Sequence, residues 1–168
     1  MHNKKSCLVY LCGPLDSAKD VPWTRSWRED FILAVNERTK TRVVFFDPLM
    51  AYRGDIKKPA RLSRESPLGG NPYPAIVSID LRVIEHSDVL VAALDRSVPS
   101  VGSYVEIGVA LGRRIPIVVF PGGNSRTGKG VSGSVDDIPE FVRYCPGELV
   151  YVCSSMDDAV KNTVYLTE

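Results

Sequence analysis

The sequence predicts an α/β fold, a parallel sheet buried between layers of helices, and three observations carry that prediction. Short apolar runs at Cys7–Cys12 and Val89–Leu94 have strand length and lack the in–out alternation of a half-exposed sheet. Segments with helical spacing of apolar residues separate such runs, as crossovers between parallel strands require. No internal repeat or linker interrupts the 168 residues, a length sufficient for one full core, so a single domain over residues 1–168 is expected.

Taken in order, Cys7–Cys12 (CLVYLC) is the first strand, closed by Gly13-Pro14. From about Trp23 to Thr39, Trp27, Phe31, Ala34 and Val35 recur at helical spacing with charges between them. Arg42–Phe46 is the second strand, ended by Asp47-Pro48. Tyr52–Tyr73 is polar, rich in Pro and Gly and without period, which predicts a long loop of the kind that serves as a lid or binding element. Helical spacing resumes over Pro74–Ser87, and Val89–Ala93 is the third strand. A helix follows over Ser103–Gly112, and Ile115–Phe120 is the fourth strand. Gly122–Ser134 is a second loop, Ile138–Tyr144 a short helix and Leu149–Val152 the fifth strand. Ser155 then caps a final helix with Asp157 and Asp158 in its first turn. Five strands with the first near the centre fit the flavodoxin-like order 2-1-3-4-5. In that order the ligand crevice opens between strands one and three at their carboxyl ends, where the loops Gly13–Asp20 and Asp95–Gly102 meet.

Composition excludes several classes. Net charge is +1 with basic and acidic residues matched along most of the chain, so no nucleic-acid footprint is expected. No apolar run approaches the length of a membrane span, and the basic start reads as a tip leading into the first strand. Four cysteines without Cys-x-x-Cys spacing and two histidines predict no metal site, no cofactor and a reduced, cytosolic protein. Gly123–Lys129 imitates a phosphate-binding loop, but Gly130 stands where Ser or Thr is needed, so a loop at a pocket rim or subunit contact is expected instead. Lys57, Lys58, Arg61 and Arg64 read either as solvated surface or as a cluster near an anionic substrate.

Two carboxylates break this ordinary pattern. Between Arg96 and Arg113 the only charged residue is Glu106, in a helix apolar nearly all round. A buried carboxylate needs a partner or takes up a proton, so Glu106 is either a structural ion pair or a functional group placed at the crevice. The dipole of its helix is expected to favour the ionised form. Asp80 shares a helix face with Ile76 and Val83, either as a solvated boundary residue or as a second group reaching the same crevice. Two carboxylates flanking one pocket suit glycosyl transfer, one attacking the anomeric carbon while the other protonates the leaving group. Tyr10, on the first strand, either fills the sheet–helix interface or hydrogen-bonds the attacking carboxylate.

Val9-Tyr10-Leu11-Cys12-Gly13-Pro14, Asp80 and Gly102-Ser103-Tyr104-Val105-Glu106-Ile107-Gly108 together resemble the nucleoside 2-deoxyribosyltransferase family, over roughly residues 8–120. The resemblance implies Glu106 as the nucleophile forming a deoxyribosyl-enzyme, Tyr10 as its orienting partner and Asp80 as proton carrier for the nucleobase. It also implies substrate contacts from Gly13, Asp16, Ser100, Gly102 and Ser103. The partners would be a deoxynucleoside and a free nucleobase, and the assembly a dimer or hexamer. Ser100 stands where such transferases carry Asp, and Pro99-Ser100-Val101-Gly102 is similar to the related 2-deoxynucleoside 5-phosphate N-hydrolases. Those hydrolases follow strand one with Gly-Ser-Ile-Arg, whereas Gly13-Pro14-Leu15-Asp16 places a carboxylate near the expected 5′ end. Transfer to a base, hydrolysis by water, and a non-enzymatic nucleotide-binding module therefore stand as alternatives.

Overall fold

The computed structural model describes residues 6–14, 23–51, 73–98, 100–123, 133–145 and 147–168. Its strands are β1 (Cys7–Cys12), β2 (Val43–Phe46), β3 (Val89–Leu94), β4 (Ile117–Pro121) and β5 (Val150–Val152). They form one parallel sheet in the order β2-β1-β3-β4-β5. The helices are α1 (Trp23–Arg38), α2 (Pro48–Ala51), α3 (Tyr73–Glu85), α4 (Val101–Gly112), α5 (Glu140–Arg143) and α6 (Met156–Thr167). A 3-10 turn, Val135–Asp137, precedes α5. Among the described residues no helix is long and apolar enough to cross a membrane.

The parallel sheet has a core on each face because alternate side chains of every strand go to opposite sides. Val9 and Leu11 of β1 join Trp23, Trp27, Phe31 and Val35 of α1 and Ala159 and Val160 of α6. Tyr10 and Cys12 face the other way, with Ile84 of α3 and Ile107 and Ala110 of α4. β3 is buried along its whole length, as its unbroken run of apolar residues requires. Trp23 belongs to the core.

Several boundaries differ from the sequence reading. α4 opens at Val101, two residues before Ser103, because Ser100 takes the N-cap position. Glu106 consequently lies in the second turn. The helix expected over residues 138–144 is shortened to α5, with the 3-10 turn lying before the expected range. α2 was not expected; it opens on Asp47, whose Oδ1 accepts from the Leu49 amide at 2.9 Å, with Pro48 at the first helical position. Asp16, the basic cluster at Lys57–Arg64 and most of the loop after β4 lie outside the described residues.

The end of β4 is held closely. The Gly122 amide donates to the Leu94 carbonyl at 2.6 Å, and a Cβ on Gly122 would overlap the Trp23 ring. A Cβ on Gly133 would meet the Gly122 carbonyl and Pro121 in turn. Residues 122 and 133 are therefore packed backbone to backbone.

Candidate active site

The chain leaves β1 towards β2 on one side and returns to β3 on the other, so the switch point lies between the carboxyl ends of β1 and β3. Tyr10 pairs in register with Leu90, and Cys12 with Ala92. Their side chains point towards α3 and α4, the helices that carry Asp80 and Glu106.

At this point the Tyr10 hydroxyl donates to Glu106 Oε1 at 2.9 Å. Tyr10 is fully buried and its ring stacks on Phe46 of β2, 5.5 Å between centroids, which fixes the phenol. Burial first, then the carboxylates of Glu106 and Asp80, pushes the phenol far above its usual range, so it remains a donor. The Cys12 thiol lies between two acceptors, the Ser103 carbonyl at 3.6 Å and the Glu106 carboxylate, and its single S–H serves one at a time. Burial, then Glu106, also pushes this thiol well up and keeps it protonated.

Glu106 itself does not follow the dipole expectation. Burial pushes its carboxyl from 4.5 up to about 7, against the donors Cys12 and Tyr10, which pull it down. Asp80 adds to the rise and Arg28 opposes it. The helix-end field fades beyond the first turn, and Glu106 sits in the second, so desolvation wins. Asp80 is only 7% exposed, and its charge is felt by both Glu106 and Tyr10. A buried carboxyl held near neutrality close to a second buried carboxyl is chemically able to combine nucleophilic attack with proton transfer.

The other expected substrate contacts divide. Ser103 is buried, and its Oγ lies 2.5 Å from Ser100 Oγ; the Ser100 side chain makes no cap hydrogen bond to α4. Gly102 is exposed with open space where a Cβ would stand. Gly13 lies at the tip of β1, where a Cβ would come within 3.2 Å of the Ala93 carbonyl and 3.3 Å of Arg28 Nη2. Asp16 lies outside the described residues.

Three groups near this site were not singled out by sequence reasoning. Cys12 was counted as an apolar strand residue, although its spacing of two from Tyr10 puts both on one face. Arg28 falls four after Thr24 and three before Phe31, hence on the buried stripe of α1, where it is 1% exposed. Its Nε lies 3.0 Å from Asp47 Oδ1, an ion pair in which the N–H is not aimed at the oxygen. Among the described residues no cluster of metal-ligating side chains is present.

The family model described as Nucleoside 2-deoxyribosyltransferase matches residues 9–138. No curated protein sequence matches the chain. Among solved structures, a conserved protein from Enterococcus faecalis V583 is 20% identical with a TM-score of 0.62, covering 94% of this chain and 96% of that one. A molybdenum cofactor binding protein from the phototrophic bacterium Rippkaea orientalis is 12% identical with a TM-score of 0.54, covering 98% and 99%. A CMP N-glycosidase from Clostridium botulinum is 14% identical with a TM-score of 0.48, covering 93% and 97%. At such identities the first two bear on the fold alone, and the third is too loose to bear on anything further.

Proposed function

The chain belongs to the nucleoside 2-deoxyribosyltransferase family, and from that premise we propose that it cleaves the N-glycosidic bond of 2′-deoxynucleosides and passes the sugar to another nucleobase. The observation that carries this reading is the Tyr10–Glu106 hydrogen bond beside Asp80 at the switch point. In the forward step the ionised Glu106 carboxylate forms a bond to C1′ as the bond from C1′ to the base nitrogen breaks. The electrons of the broken bond leave on the base, which takes a proton from Asp80. The proton that Glu106 releases on ionising is the one the pair hands on, so the carboxyls together hold one proton at the start. The acceptor base reverses these steps: its nitrogen attacks C1′, Glu106 departs as carboxylate, and Asp80 recovers a proton. Tyr10 and Cys12 donate to Glu106 and keep the carboxylate turned towards the sugar.

A second reading, hydrolysis of a 2′-deoxynucleoside or its 5′-monophosphate, draws on the Ser100 sequence context. One experiment separates the two. The protein is incubated with deoxyinosine or its 5′-monophosphate, each with and without free adenine, and products are resolved by chromatography. Transfer predicts deoxyadenosine and hypoxanthine together, only when adenine is present. Hypoxanthine and free deoxyribose released without adenine would mean hydrolysis. No cleavage of the nucleoside or of its 5′-monophosphate would overturn both.

A further inference from the structure

Arg28 is a buried cation of the opposite face of the sheet whose guanidinium meets the backbone at Gly13, the residue next to the Cys12 that hydrogen-bonds Glu106, and its charge is felt by Glu106. α1 packs on the side of Val9 and Leu11, away from Glu106. The guanidinium arrives by passing over the tip of β1, where Nη2 donates to the Gly13 carbonyl at 3.2 Å. Nη1 donates to the Thr24 carbonyl of its own helix, and the guanidinium lies 4.7 Å from the centre of the Trp27 ring. Asp47, at the end of β2, holds Nε. The contacts with Gly13 and Asp47 join the ends of two strands at the rim of the crevice. The Gly13 contact also depends on the residue lacking a side chain, since a Cβ there would crowd Nη2.

We infer that Arg28 is a positioning residue for Glu106: a buried guanidinium, locked by the Gly13 carbonyl, Asp47 and Trp27, whose fixed positive charge holds the carboxylate ready to attack. The catalytic role of that carboxylate rests on the function proposed above; the effect of Arg28 on its ionisation does not. The charged and titratable groups involved are few. Glu106 is faced by Tyr10 and Cys12 from β1, Asp80 from α3 and Arg28 from α1. Arg28 is faced by Asp47, Cys12, Glu106 and Tyr10. Burial lowers the guanidinium from its ordinary value, with Asp47 the largest opposing influence. Arginine starts so high that it stays charged. A permanent charge in a water-poor site acts on Glu106 far more strongly than a surface lysine would.

The test measures Glu106 directly. Its side-chain carboxyl carbon is followed by NMR against pH and identified by the signal missing in Glu106→Gln. Three proteins are compared: wild type, Arg28→Lys, and Arg28→Met combined with Asp47→Asn so that no buried carboxylate loses its partner. The Met variant should raise the Glu106 midpoint by about half a unit or more, less than the roughly 1–3 units of an unpaired adjacent charge because Asp47 partly offsets the guanidinium. The Lys variant, which keeps the charge, should shift it less than half as far. An unmoved midpoint in the folded Met variant overturns the inference, and so does an equal shift in both, which would make packing rather than charge the cause. If the Met variant does not fold, Arg28→Gln with Asp47→Asn replaces it, under the same criteria. The acidic limb of kcat/KM for deoxyinosine should move with the carbon midpoint. If the midpoint moves but no protein cleaves deoxynucleosides, the proposed function fails while the inference about Arg28 stands.

Discussion

Replacing Glu106 by Gln should make the protein more stable, by an amount that depends on pH. In the folded chain this carboxyl holds its proton up to about 7, whereas the unfolded chain releases it near 4.5. Between those values the folded state binds the extra proton, so Glu106 favours folding at low pH and that contribution is lost as pH rises through about 7. At about 1.4 kcal/mol per unit, ionised Glu106 costs the folded state roughly 3 kcal/mol at about pH 8 and under about 1 kcal/mol at about pH 5. Gln leaves Tyr10 an acceptor oxygen but places an NH2 group in the same enclosure, a cost of about 1 kcal/mol. The net gain is then about 2 kcal/mol at about pH 8, equivalent to about 4–8 °C in Tm for a chain of this size, and near zero at about pH 5. Urea unfolding of both proteins at the two pH values measures it. A variant no more stable than wild type at the higher pH, or a difference that does not change with pH, would refute the reasoning. The same variant should lose turnover by many powers of ten, as expected when a nucleophile is removed.

Tyr10→Phe keeps the ring stacked on Phe46 and removes one donor from Glu106, so the acidic limb of kcat/KM should move upward and the rate fall by roughly one to two powers of ten; an unchanged profile would mean the hydrogen bond does not matter to the reaction. Asp80→Asn should slow release of poor leaving bases far more than release of an activated leaving group, and equal losses on both substrates would make Asp80 a structural residue. Gly122→Ala should destabilise by about 1–3 kcal/mol through overlap with the rigid Trp23 ring, read as a lower urea midpoint at unchanged slope; a neutral substitution would show that the two do not touch.

The strands β1 and β3 were legible because a short unbroken apolar run, bounded by Gly-Pro or Ser-Asp, fits a strand covered on both faces. Order followed from alternation with helices, and order alone placed the crevice. Glu106 and Asp80 were legible for the opposite reason, as charges where the local pattern calls for none. The start of α4 was not, because Ser100 and Ser103 are both acceptable caps and only the folded backbone chooses between them. A four-residue helix such as α2 has no period to detect, leaving Asp47-Pro48 as its only mark. Arg28 was hidden by its neighbours: beside Glu29 and Asp30 it resembles a solvated face, and only its distance from Thr24 and Phe31 puts it inside. The ionisation of Glu106 was misjudged because a sequence displays the helix end but not the depth of burial, and burial dominated.

The contact between Gly122 and Gly133 has a consequence for how this protein tolerates change. Because the two backbone positions touch, the chain between them begins and ends at one place. In general, doubling the length of a loop whose ends are fixed costs only about 0.6 kcal/mol in closure entropy, a small fraction of a domain's stability. The junction is thus a natural port for insertion: a peptide tag, a reporter or a second small domain spliced in there need only begin and end where Gly122 and Gly133 already meet.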